Sequence, residues 1–261
     1  MPPLKIAIQL RSLRLPLRQA LETAHKLGAQ AVEIDARDEV RPGELSETGR
    51  RQLRKLLEDL NLRVAAIGFP TRRGYNVLED LDRRVGATKE AMRLAHSLGS
   101  SIVINHVGRV PESSEAPDWP TMLDALTDLG AFGNHVGAIL AAETGSESGE
   151  DLARLLAALP QGMLGVTLNP GNLIVNGFAP LDAIVALRQA ICHVHAKDAV
   201  RDLARGRGEE VALGRGVVDF PALLAALDES GYRGYLGIER TRADDPIREV
   251  AQAVQYLTNI Q

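Results

Sequence analysis

Apolar and polar positions along the chain fall into two alternating kinds of segment. Eight short runs, KIAIQL, AVEID, RVAAIGF, SIVINHV, GAILAAET, LGVTLNP, ICHVHAKD and YLGIERT, are rich in Val, Ile, Leu and Ala. Near-continuous hydrophobicity over that length predicts strands buried on both faces. Between them apolar residues recur at helical spacing, as at Leu53, Leu56, Leu57 and Leu60, and again at Leu223, Leu224 and Leu227. Eight strand–helix units in 261 residues average about 33 residues each, the size of a βα unit.

Local signals agree with these boundaries. Ser46 and Pro180 suit the starts of the second and sixth helices, and Gly28 and Gly99 suit the left-handed residue that follows a helix end. The segments ALETAHKLGA (20–29) and AMRLAHSLGS (91–100) share Ala, Ala, His, Leu and Gly in register, 71 residues apart, an echo of about two units. His25 and His96 in that repeat belong to last helical turns. Residues 108–117 and 199–218 read as loops, the second rich in Gly and Arg, and no linker divides the chain. The expected fold is α/β, one (β/α)8 TIM barrel domain over residues 1–261. A doubly wound sheet would favour an early glycine-rich phosphate loop, and neither RSLRLP after the first run nor ARDEV after the second supplies one.

Composition narrows the function. Thirty Lys and Arg against 34 Asp and Glu leave a net charge of −4, which argues against nucleic acid or an anionic membrane as a partner. The lone cysteine, Cys192, excludes an intrachain disulfide and a Cys-based zinc site. No apolar run nears the ~20 residues of a membrane span, and the first residues lack a signal-peptide layout, so a cytoplasmic location is expected.

In a βα barrel the chemistry lies at the carboxyl ends of the strands. The fifth run ends at Glu143, the sixth at Asn169, the seventh reaches His195 and the eighth ends at Glu239. Alternation sends Ala141 and Gly237 inward beneath the glutamates and leaves room for them. A single polar residue at a strand end ordinarily greets solvent; four converging on one axis make a site. Two carboxylates a few ångström apart in a half-dry pocket need a proton or a cation between them. A divalent ion held by Glu143, Glu239, the His195 imidazole and the Asn169 amide oxygen meets that need. This mixed donor set suits Mn²⁺ or Mg²⁺, with Co²⁺ or Zn²⁺ as further options.

The motifs LAAETG (140–145), VTLNPGNL (166–173), HVHAKD (193–198), LGRGVVDF (213–220) and GYRGYLGIE (231–239) carry a family likeness. Through them nearly the whole chain resembles the xylose isomerase-like barrel superfamily: sugar isomerases and epimerases, hydroxypyruvate isomerases, inosose dehydratases and type IV apurinic endonucleases. The resemblance implies Glu143 and Glu239 as metal ligands that double as the acid/base pair, with His195 the third ligand. The fourth is usually Asp; here it is Asn169, whose lost charge predicts weaker metal affinity. The resemblance also implies Arg201, six residues past His195, as a contact to a substrate oxygen. It places His106 beside the substrate, and Asn172 where related epimerases carry a substrate-facing His.

The reading that follows is a metal-dependent isomerase or epimerase acting on a small sugar or keto acid. One glutamate removes the proton beside a carbonyl, an enediolate forms, and the proton returns to the same or the adjacent carbon. The alternatives are a metal-poor, non-catalytic sugar-binding barrel, which Asn169 favours, and an endonuclease IV-like phosphodiesterase, which needs extra His and Asp ligands that RVAAIGFP lacks. His193 either orients a ligand from behind or is a hydrogen-bonded core histidine. Asp198 is assigned to fixing Lys197 or the following loop, and Glu33 to the pocket rim or a salt bridge. Arg205 and Arg207 read as solvated, partly balanced by Asp202, Glu209 and Glu210. Trp119, Phe69 and Phe178 read as packing under loops. A homo-oligomer is compatible with the sequence.

Overall fold

A computed structural model describes residues 3–201 and 208–260. In chain order the elements begin with β1 (Lys5–Gln9), α1 (Leu17–Lys26), β2 (Ala31–Asp35), α2 (Glu47–Asp59), β3 (Arg63–Gly68), α3 (Leu81–Ser97) and β4 (Ile102–Asn105). Then come α4 (Trp119–Val136), β5 (Ile139–Glu143), α5 (Gly149–Ala158), β6 (Gly165–Leu168), α6 (Pro170–Val175), α7 (Pro180–Leu187) and β7 (Ile191–Ala196). The chain finishes with β8 (Asp198–Val200), β9 (Glu209–Val211), α8 (Phe220–Glu229), β10 (Tyr235–Ile238) and α9 (Pro246–Asn259). Eight parallel strands close a barrel in the order β1-β10-β7-β6-β5-β4-β3-β2, the (β/α)8 architecture expected.

The strands are short and buried on both sides, so aliphatic residues serve each face. Val32, Ile34, Ile67, Val103, Leu140, Val166, Val194 and Leu236 belong to the main core with the buried helix residues. Ala7, Ala31 and Ala65 form a separate small cluster against Tyr235. Helices start where side chains satisfy their free N–H groups: Ser46 accepts from Gly49 N, and Ser148 from Asp151 N. Gly28 and Gly99 hold φ of 86° and 79°, the left-handed region that glycine tolerates. Among the described residues no helix is long and apolar enough to cross a membrane.

Two features depart from the reading of the sequence. Pro180 does open a helix, but the short α6 precedes it, because Asn169 caps a turn immediately after β6. The segment read as one loop, 199–218, contributes strand residues: β8 pairs antiparallel with β9. Asp202, Arg205 and Arg207 lie outside the described residues. Asp198 anchors the far end of this hairpin. Its carboxylate accepts the N–H groups of Ala199, Gly214, Gly216 and Val218 at 2.8–3.2 Å. A Cβ at Gly216 would stand 2.0 Å from Asp198 Oδ1, so this close approach requires glycine. The role assigned to Asp198, fixing the following loop, is the one found.

Candidate active site

The polar ends of β5, β6, β7 and β10 are neighbours in the barrel and meet in one cup. His195 stands at its centre, buried. Its Nδ1 lies 2.8 Å from Glu143 Oε1 and 3.3 Å from Glu239 Oε2, and its Nε2 lies 2.7 Å from Glu33 Oε2. Asn169 donates from Nδ2 to Glu143 Oε1 at 2.7 Å and to Glu239 Oε2 at 2.8 Å. Its Oδ1 accepts from Asn172 N at 3.0 Å, the bond that caps α6. Lys197, two residues past His195, donates from Nζ to Glu239 Oε1 at 3.0 Å and stands 3.5 Å from Glu210 Oε2. His106 Nε2 is 2.6 Å from Glu143 Oε2.

Local backbone choices create this convergence. The β2–β3 register shifts between Val32 and Glu33, and the β6–β7 register shifts between Val166 and Thr167. Such irregularities re-aim side chains beside active sites; the first precedes Glu33, and the second falls where His193 pairs with Thr167. Thr144 Oγ1 accepts from Asn169 N at 2.8 Å and fixes the turn after β6. Gly237 makes room for the imidazoles, since a Cβ there would stand 2.9 Å from His193 Nε2 and 3.4 Å from His195 Cδ2.

Charges in the cup are paired. Burial opposes ionisation of Glu143, but hydrogen bonds and charge from His106 and His195 hold its carboxyl well below the ordinary range. Burial likewise opposes charge on His195, and the carboxylates of Glu33, Glu143 and Glu239 raise it well above the usual imidazole value. Lys197 is raised because Glu239 and Glu210 outweigh its burial. Arg240 closes the network by donating to Glu210 Oε1 at 2.6 Å.

The structure thus brings together Glu143, Asn169, His195 and Glu239, the four residues read from the strand ends, with His106 at their edge. Asn172 enters through its backbone N–H, and it shares with His106 and Glu143 a cavity of about 420 Å³ that Arg72 and Arg109 also line. Arg201 is exposed and donates to Gly177 O at 3.3 Å. His193 is buried edge-on to His195, with ring centroids 5.3 Å apart. Its Nε2 is 3.8 Å from Glu33 and bonds nothing; burial and the neighbouring His195 charge push its pKa down to about 4. It props the His195 ring as a neutral wall. Three participants lie beyond the set of site residues read from the sequence: Glu33, Lys197 and Glu210. Alternation along HVHAK, which puts positions 193, 195 and 197 on one side, was the signal for Lys197.

A family model for the xylose isomerase-like TIM barrel matches residues 21–260. The chain belongs to that family. It is 26% identical to the rhizopine catabolism protein MocC of Rhizobium meliloti, covering 86% of this chain and 74% of the relative. It is 22% identical to an inosose dehydratase of Clostridium botulinum, covering 78% and 76%. Among solved structures, a xylose isomerase domain protein from Planctomyces limnophilus superposes with a TM-score of 0.88 at 28% identity, over 99% of this chain and 98% of that one. Other solved barrels of the fold carry magnesium or zinc.

Magnesium or zinc in those neighbours sets the question of whether the donors of this cup suit a divalent ion. Glu143, His195 and Glu239 each offer a ligand atom, all within 4.8 Å of one another. Asn169 does not complete that set. Its oxygen is committed to the cap of α6, and the group facing the glutamates is an NH₂, which donates hydrogen bonds and has no lone pair for a metal. The four-donor set does not fit as arranged.

Proposed function

We propose that the protein is an enzyme that moves a proton on the carbon beside a carbonyl in a small sugar, cyclitol or keto acid. Glu143 and Glu239 form the acid/base pair. One observation carries this reading: Glu143 Oε1 and Glu239 Oε2 are gathered on a single Asn169 NH₂ group at the mouth of the barrel. Two carboxylates focused on one point from β5 and from the end of β10 suit an exchange in which one takes the proton from the substrate carbon and the other returns a proton to the opposite face of the planar intermediate so formed. Return to the same carbon inverts it; return to the neighbouring carbon isomerises. His106 and Asn172, which share the adjoining cavity with Glu143, border the substrate.

A second outcome of the same first step is supported by likeness to inosose dehydratases. Loss of a hydroxide from the carbon next to the new carbanion gives dehydration, with the other glutamate as the acid that protonates the leaving oxygen. The experiment is solvent-deuterium wash-in over a panel of ketoses, inososes and small keto acids, read by NMR, which also distinguishes inversion, isomerisation and water loss. Glu143→Gln and Glu239→Gln should each slow wash-in by about 10³-fold. Undiminished exchange in both variants removes these residues from the chemistry.

A further inference from the structure

Other solved barrels of this fold carry magnesium or zinc, and this chain gathers Glu143, Asn169, His195 and Glu239 at the mouth of its barrel. A dication in such a cup would supply two services: holding two carboxylates together and presenting positive charge to a substrate oxygen. Both have counterparts among the side chains of this cup.

Asn169 performs the first. Its NH₂ bridges Glu143 Oε1 and Glu239 Oε2 at 2.7 and 2.8 Å. Without a cation in the cup the amide does not turn over to show its oxygen. Rotation by half a turn would set NH₂ against the N–H of Asn172 and the amide oxygen against two carboxylates, replacing three hydrogen bonds with three repulsions. Three partners therefore fix which end of the amide faces the cup. Lys197 performs the second. Its ammonium, buried on β8's doorstep just past β7, contacts Glu239 Oε1 at 3.0 Å and is aimed into the cup between Glu239 and Glu210. Glu210 is itself engaged by Arg240 and Thr241, so it does not draw Lys197 away from Glu239.

We propose that this barrel works without a divalent cation, Asn169 holding the glutamate pair together and Lys197 serving as the electrophile that receives the substrate's carbonyl oxygen. This rests on the proton-transfer reading above. The step balances without further reagents. The C–H bond breaks, its proton passes to a glutamate carboxylate, its electron pair forms the C=C bond of the enediolate, and the carbonyl π pair moves to the oxygen facing Lys197 Nζ. Reversal on either face, or on the neighbouring carbon, returns the proton.

The test begins with the full chain freed of metals by a chelator and titrated with MnCl₂ alone, by calorimetry and by thermal unfolding. The wild type should show no saturable micromolar binding and no rise in Tm. Asn169→Asp retains an oxygen for the α6 cap and adds the missing anionic donor, so it should bind Mn²⁺ at least about 100-fold more tightly than the wild type and gain Tm with the metal. One Mn²⁺ bound per wild-type chain at micromolar Kd overturns the proposal, whatever the variant does. A second arm measures wash-in on the chelated wild type, Lys197→Met and Lys197→Arg. Activity should survive chelation, fall about 100-fold or more in Lys197→Met, and recover in part in Lys197→Arg. Activity abolished by chelation and restored by Mn²⁺ overturns the proposal. If no compound exchanges, the proton-transfer reading fails while the calorimetric arm still decides the metal question.

Discussion

The inside of this barrel has two ends built on opposite rules. Toward the amino ends of the strands, Ala7, Ala31 and Ala65 close against Tyr235 as a small apolar cluster. Toward the carboxyl ends, Glu33, His193, His195, Asn169, Lys197 and Asp198 are all buried, with Glu143 and Glu239 beside them. Stability alone would extend the aliphatic floor upward, because charges lose hydration on burial and recover it only through well-placed partners. The upper layer is kept polar at that cost, and nearly every polar atom in it is paired. Small side chains below are what admit two imidazoles above. The difference assigns work to each end: the floor holds the cylinder shut, and the cup holds a chemical arrangement.

The sharpest way to break that division is to fill the space at their boundary. Gly237→Ala places a methyl 2.9 Å from His193 Nε2, and the ring cannot retreat because His195 lies against it. His195 should be displaced from Glu33 and Glu143. Deuterium wash-in should fall about 10- to 100-fold, since ångström-scale misplacement of reacting groups costs that much. Stability should fall by about 1–3 kcal/mol from overpacking. Wild-type exchange in a destabilised Gly237→Ala protein would show that the imidazole pair does not position the glutamates.

How far this division was legible beforehand follows the same physics. The eight strands and their order followed from continuous apolar runs, and the ends of four of them named Glu143, Asn169, His195 and Glu239, because strand ends in a barrel point at one place. The way Asn169 is turned was not legible. An asparagine offers an oxygen or an NH₂, and only its neighbours, here the N–H of Asn172 and two carboxylates, choose between them. Glu33 was visible but undecided, since reaching His195 from the far side of the barrel depends on the register shift beside it. Arg201 was carried over by likeness, and its partner, Gly177 O, belongs to a connection whose course no short motif announces. The hairpin of β8 and β9 was hidden because three-residue strands leave too little periodicity to read.

A floor substitution sharpens the comparison from the other side. Tyr235→Ala removes the ring that covers Ala7, Ala31 and Ala65. Because Tyr235 is only partly buried, the loss should be about 2 kcal/mol, below the range for a fully buried aromatic, and visible as a lower midpoint in urea. Wash-in per folded molecule should stay within about twofold of wild type, because the substitution leaves every hydrogen bond of the cup in place. A large drop in turnover at unchanged stability would mean that the two ends are mechanically coupled.

The smallest effect comes from the loop after β2, where Glu39 shows what happens to a half-buried carboxylate without a cation in contact. Its Oε2 accepts from Asp35 N at 2.7 Å, yet burial pushes its pKa up to about 7, with the nearby Asp35 and Glu33 charges adding to the rise. Glu143, more deeply enclosed, is held the opposite way by two imidazoles. A raised carboxyl binds its proton more tightly folded than unfolded. Its contribution to stability is therefore full below the ordinary carboxylate range, declines as pH climbs toward about 7, and is gone above that. Glu39→Gln keeps an oxygen for Asp35 N and removes the titration. The variant should match wild type near pH 4 and exceed it by about 1 kcal/mol at pH 8, a figure reduced for partial solvent screening of the site. Thermal unfolding across pH 4–8 reads this directly. Parallel curves for the two proteins would mean that Glu39 finds a cationic partner after all, and that this loop obeys the pairing rule of the cup throughout.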